Sequence, residues 1–472
     1  MRINFYLLFS LLFVYCGQAQ NSIRERTDAL VPKIQKFYNS GAYDSLYALG
    51  GTAFQKEITR EKFREALQGL QTQLGNLSSY TYESTKDKVV KYKASFNNAV
   101  VALFVNTDDS GKLGTFLFSE YVAEPGADND PAPFNNPLST ALDWKVDSVA
   151  KAFMAKGNTM SLAIGVLDGI NDHFYGYGET VKGNKKAPDN KTLYEIGSIT
   201  KTFTGILLAY FVEQKKVKLD DPINKYLPDS IPAITFNGKP VTLASLSNHS
   251  SGLPRLPDNF WTGSDNKNPY KHYDDRRLFS FLKNFKTVRE PGSQYEYSNL
   301  AQGLLGVILE RVSGKSYEQL LKEIIWQPLK MSGTRITLLK NDSVLFAQGY
   351  SGTNTMHSWE FQSLAAAGAI RSSTEDILLY ARAQIDKGNS RLQKAIALSH
   401  QLTYEKSNSR VALGWHVIVN QDKTYLFHNG QTGGYFTVLF VNPASKKALV
   451  MLTNALIDPM PSAMDLMKWL DQ

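Results

Sequence analysis

Cysteine is nearly absent from this chain: Cys16 is the one thiol in 472 residues. It falls inside an N-terminal segment, Met1 to Ala19, that reads as a signal peptide, with basic Arg2, an apolar stretch from Phe5 to Tyr15, and small Gly17 and Ala19 before Gln20. A lipid anchor at Cys16 competes with simple removal, and bulky Tyr15, where lipoprotein signals place a small residue, favours removal. The mature chain then has no thiol, which excludes disulfides, a thiolate nucleophile and a Cys-ligated metal site. Long hydrophobic runs are also missing. The Phe5 to Tyr15 stretch is shorter than the roughly 20 residues that cross a bilayer, and nothing later is longer. An exported protein, periplasmic or secreted, with no integral membrane segment is expected. Concentrated positive charge is lacking too. Lys and Arg number 52 against 44 Asp and Glu, a net charge of +8, but they are scattered among acids, as in Asp274-Asp275-Arg276-Arg277. No basic run is interleaved with stacking aromatics, so a solvated basic surface is expected and a nucleic-acid partner is not. The seven histidines form no H-E-x-x-H, and no G-x-S-x-G occurs, which argues against a zinc hydrolase and an α/β-hydrolase triad. No metal and no cofactor is expected.

What is present is a globular composition, 43% hydrophobic and 20% charged, in a chain longer than one core usually organises. From Ser22 to Gly75 the pattern is helical, with Phe63, Leu67, Leu70 and Leu74 at spacings of three or four. From Tyr80 to Val122 it becomes strand-like: Tyr92, Ala94 and Phe96 alternate with polar residues, and Asp109-Ser110-Gly111-Lys112 supplies a turn. Residues 20–123 are therefore expected to form a small α+β unit with no convergent acid, base or metal set. Residues 124–138, rich in Pro, Asp and Asn, read as a linker. Residues 139–472 begin with an amphipathic helix from Ser139 to Ala155 and strands at Ser161 to Leu167 and Phe174 to Gly178. A mostly helical region follows, then strands at Val411 to Val419, Thr424 to His428, Phe436 to Val441 and Ala448 to Thr453, and a closing helix at Ser462 to Leu470. Strands from both ends enclosing helices imply one antiparallel sheet flanked by helices, with a helical subdomain.

A hydroxyl is a poor nucleophile at neutral pH and needs a base within hydrogen-bond reach. Ser198-Ile199-Thr200-Lys201 meets that need if it opens a helix, because residues three apart share a face and Thr202 to Val212 reads as a buried helix. Ser198 in the first turn also offers its backbone N–H to an attacked carbonyl. Ser264-x-x-Lys267 and Ser280-x-x-Lys283 match the same weak pattern, but only the first has a glycine before the serine and a long apolar helix after it. The second element is Tyr297-Ser298-Asn299, the one Y-x-N in the chain, preceded by Pro291-Gly292 and followed by an apolar helix from Leu300 to Val312 that stops at Gly314. A phenol whose pKa is lowered by a neighbouring ammonium shuttles protons, and Asn299 can bond a substrate amide. The third element, His428-Asn429-Gly430-Gln431, lies in a strand context where Gly430 permits close backbone approach and the next N–H completes an oxyanion hole.

Together, Glu195-Ile196-Gly197-Ser198-Ile199-Thr200-Lys201, Pro291-Gly292-x4-Tyr297-Ser298-Asn299 and His428-Asn429-Gly430 resemble the three boxes of the serine β-lactamase and penicillin-binding superfamily. The likeness is to its class C and esterase or D-aminopeptidase-like branch and spans Ser139 to Gln472. Leu219-Asp220-Asp221-Pro222, Asn248 to Pro254 and Ala367-Gly368-Ala369 agree with it. The resemblance implies that Ser198 is the nucleophile, Lys201 its proton partner, Tyr297 a second acid/base group and Asn299 a substrate contact. It also implies an oxyanion hole built from the N–H groups of Ser198 and Gln431, and leaves open which residue is the acylation base. Where β-lactamases carry K-T-G, this chain has His428-Asn429-Gly430, so a fixed substrate-binding cation is replaced by a weaker, titratable one. Ser264-Asp265-Asn266 spells the class A second box but sits in a polar, aromatic-rich stretch, Trp261 to Tyr273, that reads as loop. By its pattern the first unit resembles the nuclear-transport-factor-2-like domains in front of exported bacterial hydrolases. The expected activity is acyl transfer to water from a small peptide, amide or ester substrate. The alternative is a non-catalytic cell-wall or ligand-binding sensor, which would not require the Ser198, Lys201 and Tyr297 set.

Overall fold

The computed structural model of the protein describes residues 23–97, 100–121, 132–156, 160–406, 408–420 and 423–472. The expected signal segment 1–19 with Cys16, and residues 124–131 of the expected linker, lie outside them. The chain divides into two compact units, Met1–Gly126 and Ala127–Gln472.

The first unit pairs helices with a four-stranded antiparallel meander. Helix α1 covers 23–39 and α2 covers Arg60–Leu74. Thr59 caps α2 by accepting from Lys62 N, and Gly75 ends it at φ +76°, backbone that favours glycine. Strands β1 (Leu77–Lys86), β2 (Val89–Phe96), β3 (Val100–Thr107) and β4 (Leu113–Glu120) pair in sequence order. The alternation read from β2 is observed: Val90, Tyr92, Ala94 and Phe96 face inward and pack with Ile34, Tyr38, Phe63 and Leu67.

The second unit is built on an eight-stranded antiparallel sheet. It opens with α3 (Ala141–Met154), β5 (Ser161–Asp168) and β6 (Asn171–Gly178). Helices α4 (Thr200–Glu213), α5 (Asn299–Ser313) and α6 (Thr374–Ile385) follow, and then β7 (Tyr404–Lys406), β8 (Ser409–Val411), β9 (His416–Asn420), β10 (Lys423–Gln431), β11 (Phe436–Asn442), β12 (Lys447–Thr453) and α7 (Met460–Leu470). The sheet order is β7-β8-β9-β10-β11-β12-β5-β6, so the two strands nearest the start of the unit close against the last one. Burial on both faces explains why β5 reads as a continuous apolar run rather than an alternation. Leu162, Ile164 and Val166 pack under α3 and α7, while Ala163 and Leu167 belong to the larger core that holds α4 and α5.

The expected strand from Val411 to Val419 is broken in two. Gly414 lies between β8 and β9 at φ +72°, and a Cβ there would stand 2.1 Å from the Lys201 carbonyl oxygen. The chain turns at this point because α4 packs directly against it, backbone to backbone.

Gly205 makes the reciprocal contact: a Cβ on it would lie 2.0 Å from the Leu413 carbonyl oxygen. Glycine to alanine inside a helix normally gains about 1 kcal/mol. Here overpacking against rigid backbone, about 1–3 kcal/mol or more, outweighs that gain. Gly205→Ala is therefore expected to lower the unfolding free energy measured by urea titration, opposite in sign to the helix-propensity effect.

Candidate active site

Ser198 sits in a single 3-10 turn, Gly197–Ile199, between the two-residue strand Tyr194–Glu195 and α4. Its position is fixed from several sides. Gly197 has φ +51°, and a side chain there would lie 2.7 Å from Gln431 N. The Ile196 carbonyl accepts from Thr437 Oγ1 at 2.9 Å, and Ile196 N donates to the Ile370 carbonyl at 3.0 Å. A Cβ on Gly430 would stand 2.0 Å from Ile196 O and 2.9 Å from Ser198 N, so the end of β10 and the serine turn are in backbone contact. Tyr194–Glu195 pairs with Arg371–Ser372, and Glu195 forms a buried ion pair with Arg371 at 3.3 Å. Trp359 N donates to Glu195 at 2.8 Å, and Arg371 donates to the Trp359 carbonyl, so each charge has further hydrogen bonds.

Lys201 lies one turn on, fully buried, with Nζ 2.9 Å from Ser198 Oγ. Nζ also donates to the Ala367 carbonyl at 2.6 Å. Burial, and secondarily the charge of Arg255, hold its pKa well below the ordinary lysine range. Tyr297 OH donates to Ser198 Oγ at 2.7 Å, and Lys201 Nζ lies 4.8 Å from its ring centre. The phenol is not activated in the expected direction. Burial pushes its pKa up, opposed by the bond to Ser198 and by Arg255, because a phenolate in this setting would lose more hydration than its neighbours return.

Tyr297 and Asn299 are positioned by the start of α5. Ser298 caps that helix by accepting from Ala301 N at 2.9 Å and donates to the Pro254 carbonyl at 2.7 Å, tying it to the stretch from Asn248 to Pro254. Ser298 N donates to His249 Nδ1 at 3.1 Å. Asn299 Nδ2 donates to Tyr270 OH at 3.0 Å, while its Oδ1 is buried with no partner among the described residues.

These groups line a cleft of about 530 Å³ that contains Ser198, Tyr297, Asn299, Gly430 and Gln431 together. A larger hollow of about 620 Å³, over Trp326 and Met331, shares none of these residues. Lys201, buried beneath Ser198, and His428 are the expected site residues that do not line the cleft. The His428 ring is buried behind the wall, 6.3 Å from the Tyr297 ring and 4.9 Å from that of His416, with Nδ1 2.6 Å from the Asn429 carbonyl oxygen. Burial, then the neighbouring His416 and Lys201, push its pKa well down, so it is a neutral wall residue and not the titratable cation expected from its place in the third box. Arg255, Tyr270, Tyr295, Trp359 and His416 line the cleft without having been singled out by the sequence. Two had a signal: Arg255 directly follows Pro254, and Tyr270 lies in the aromatic stretch taken as loop. That stretch is indeed turn and bend, with Ser264 in it and outside the cleft.

Residues 146–471 match the family described as Beta-lactamase. The chain belongs to the Beta-lactamase family. Within this family it is 33% identical over 264 residues to the D-alanyl-D-alanine-carboxypeptidase/endopeptidase AmpH of Escherichia coli (strain K12), covering 51% of this chain and 68% of that one. A Beta-lactamase of Pseudomonas fluorescens is 30% identical over 282 residues, covering 59% of this chain and 75% of that one. The fold is that of the Beta-Lactamase/D-Alanine Carboxypeptidase from Pseudomonas syringae, with a TM-score of 0.63 at 21% identity over 71% of this chain and 99% of the other. Residues 31–116 match a second family, described as Protein of unknown function (DUF3887). This Beta-lactamase-family chain is a hydrolase homologous to serine β-lactamases.

Its three clustered histidines carry a pH signature. Burial pushes His249 and His428 well down and His416 to about 4, whereas each takes up its proton near 6.5 when exposed. Between those values the unfolded chain binds more protons than the folded one. Stability therefore falls as pH drops below about 6.5, by up to about 1.4 kcal/mol per pH unit for each histidine. Urea unfolding at pH 7.5 and 5 should show this loss, and His428→Asn should make the dependence shallower.

Proposed function

We propose that this protein is an exported hydrolase that transfers an acyl group from a small peptide, amide or ester substrate to Ser198 and then to water. The observation that carries the reading is the placement of Lys201 Nζ at 2.9 Å and Tyr297 OH at 2.7 Å from one serine oxygen. The opposite directions of their pKa shifts support a division of roles. Burial holds the Lys201 pKa well below the ordinary lysine range, which favours its neutral form; the amine donates to the Ala367 carbonyl and, once deprotonated, offers a lone pair for the Ser198 hydroxyl proton, so it acts as acylation base. Tyr297 stays protonated, donates to the oxygen as it attacks, and passes a proton to the leaving group, to be reprotonated through Lys201. The N–H groups of Ser198 and Gln431 receive the developing oxyanion, a role supported by the tight backbone approach at Gly197 and Gly430. The unpartnered Asn299 Oδ1 accepts from a substrate amide N–H.

The relatives that are a D-alanyl-D-alanine-carboxypeptidase/endopeptidase and a Beta-lactamase support a cell-wall-derived peptide as the substrate class. The N-terminal segment supports export, and the helix-plus-meander pattern of the first unit supports a nuclear-transport-factor-2-like docking module. No helix among the described residues is long and apolar enough to cross a membrane.

Intact mass after exposure to a nitrophenyl ester or a penicillin is expected to show one adduct, absent in Ser198→Ala. Lys201→Met and Tyr297→Phe should each slow acylation by about 10²–10⁴-fold. The rate should rise with pH through a midpoint well below the ordinary lysine pKa, as Lys201 loses its proton. An adduct that survives in Ser198→Ala overturns the assignment. Unchanged ligand affinity in that variant, with no turnover of ester, β-lactam or D-alanyl peptide by the parent, would establish the sensor instead.

A further inference from the structure

The cleft has an electrostatic asymmetry that the acyl-transfer chemistry does not require. Arg255 is the one formally charged side chain among the described residues that line it, and none of them is acidic. Lys201 and His428 are both buried and neither lines the cleft.

Arg255 is held at its backbone and free at its head. Its carbonyl accepts from Asn299 N at 3.0 Å and Leu300 N at 3.2 Å, the first two residues of α5, so the residue is anchored to the element that carries Tyr297 and Asn299. Its side chain is exposed, and its guanidinium makes no hydrogen bond or ion pair with the described residues. The guanidinium carbon lies 5.0 Å from the Tyr297 ring centre, a cation–π arrangement that orients the head over the cleft. A planar fork of unused donors beside a neutral, aromatic-walled cleft matches a carboxylate. From the guanidinium across the Tyr297 ring to Ser198 Oγ is at most about three residues of extended chain, so the recognised anion sits close to the scissile bond.

We infer that Arg255 selects substrates carrying a carboxylate close to the scissile bond, the loop arginine supplying an anion contact in a cleft whose described lining holds no other formal charge. This rests on the acyl-transfer reading for its catalytic consequence, but the binding it describes does not depend on the nucleophile. Two sources of carboxylate are compatible: a free C-terminus on the leaving group, or an acidic side chain on the acyl portion.

The test uses the full chain and two matched peptide pairs, one ending in a free carboxylate or its amide, the other with Glu or Gln next to the scissile bond. The wild-type protein should prefer the acid in one pair by roughly tenfold or more in kcat/KM, expressed mainly in KM, and the pair that shows it identifies the source. Arg255→Gln should bring that ratio close to one, and Arg255→Lys, which keeps the charge but not the fork, should restore part of it. The same comparison by calorimetric titration on Ser198→Ala, with and without Arg255→Gln, reads the preference in Kd. That measurement stands even if Ser198 proves not to be the nucleophile. Indifference to the carboxylate in both pairs overturns the inference. So does a preference that survives Arg255→Gln, or an equal loss for acid and amide, which would make Arg255 only a positioning residue for Tyr297.

Discussion

An amine with no accessible surface, placed against a serine hydroxyl, is the constraint on which the rest of this structure depends. A lysine at the surface is protonated and useless as a base, and burying its charge without a counter-ion is expensive. Burial here lowers the amine's pKa well below its ordinary range, which favours the neutral form. Among the described residues no carboxylate pairs with Lys201; its neighbours are Ser198 Oγ, the Ala367 carbonyl, the Tyr297 ring and, further off, the like charge of Arg255. Lys201 is itself a buried residue of α4, so the helix that looks like plain core also carries the amine that meets Ser198. Tyr297 experiences the same burial with the opposite result, because its neutral form is the protonated one.

The second requirement is closeness of backbone. The serine turn is clamped between the end of β10, the Arg371–Ser372 strand and α4, and at each contact the geometry leaves no room for a Cβ or relies on a hydrogen bond from a buried side chain. Gly197, Gly205, Gly414 and Gly430 are four views of one packing problem, in which a helix, a turn and a strand end must meet at main-chain distance. The helical core behind them and the sheet in front are rigid, which suits groups that must stay within a few tenths of an ångström of each other.

What was legible in the sequence follows from this division. α5 was readable from local signals, an apolar run ending at Gly314, and the structure has that glycine at φ +72° closing Asn299–Ser313. An antiparallel sheet with strands from both ends of the unit was readable because β5, β11 and β12 are apolar runs, but two of its eight strands were not: β7 went unread, and β8 and β9 were read as one. Ser198, Lys201 and Tyr297 were readable because their residue types and order are tightly limited by the chemistry. The break between β8 and β9 was not, because Gly414 turns there only to make room for the Lys201 backbone, a partner more than two hundred residues away in the chain. The state of His428 was not legible for the same reason: its neutrality comes from its burial beside His416 on β9, and nothing in its own strand reports that.

Arg255 shows where such reading stops and why. The role inferred for it depends on what is missing around it, a carboxylate partner among the described residues and a cation on the neighbouring strand, and absences of that kind are properties of a folded cleft rather than of any segment. A site that has given up its strand cation while keeping an intact proton-transfer set still has to hold its substrate by something. Arg255 is placed to do so from a loop, where substitution does not disturb the packing around Lys201. Chemistry located in the rigid, desolvated part and recognition in the exposed part can then vary independently, and a chain with the family's nucleophile but a different anion contact is the expected product of that separation.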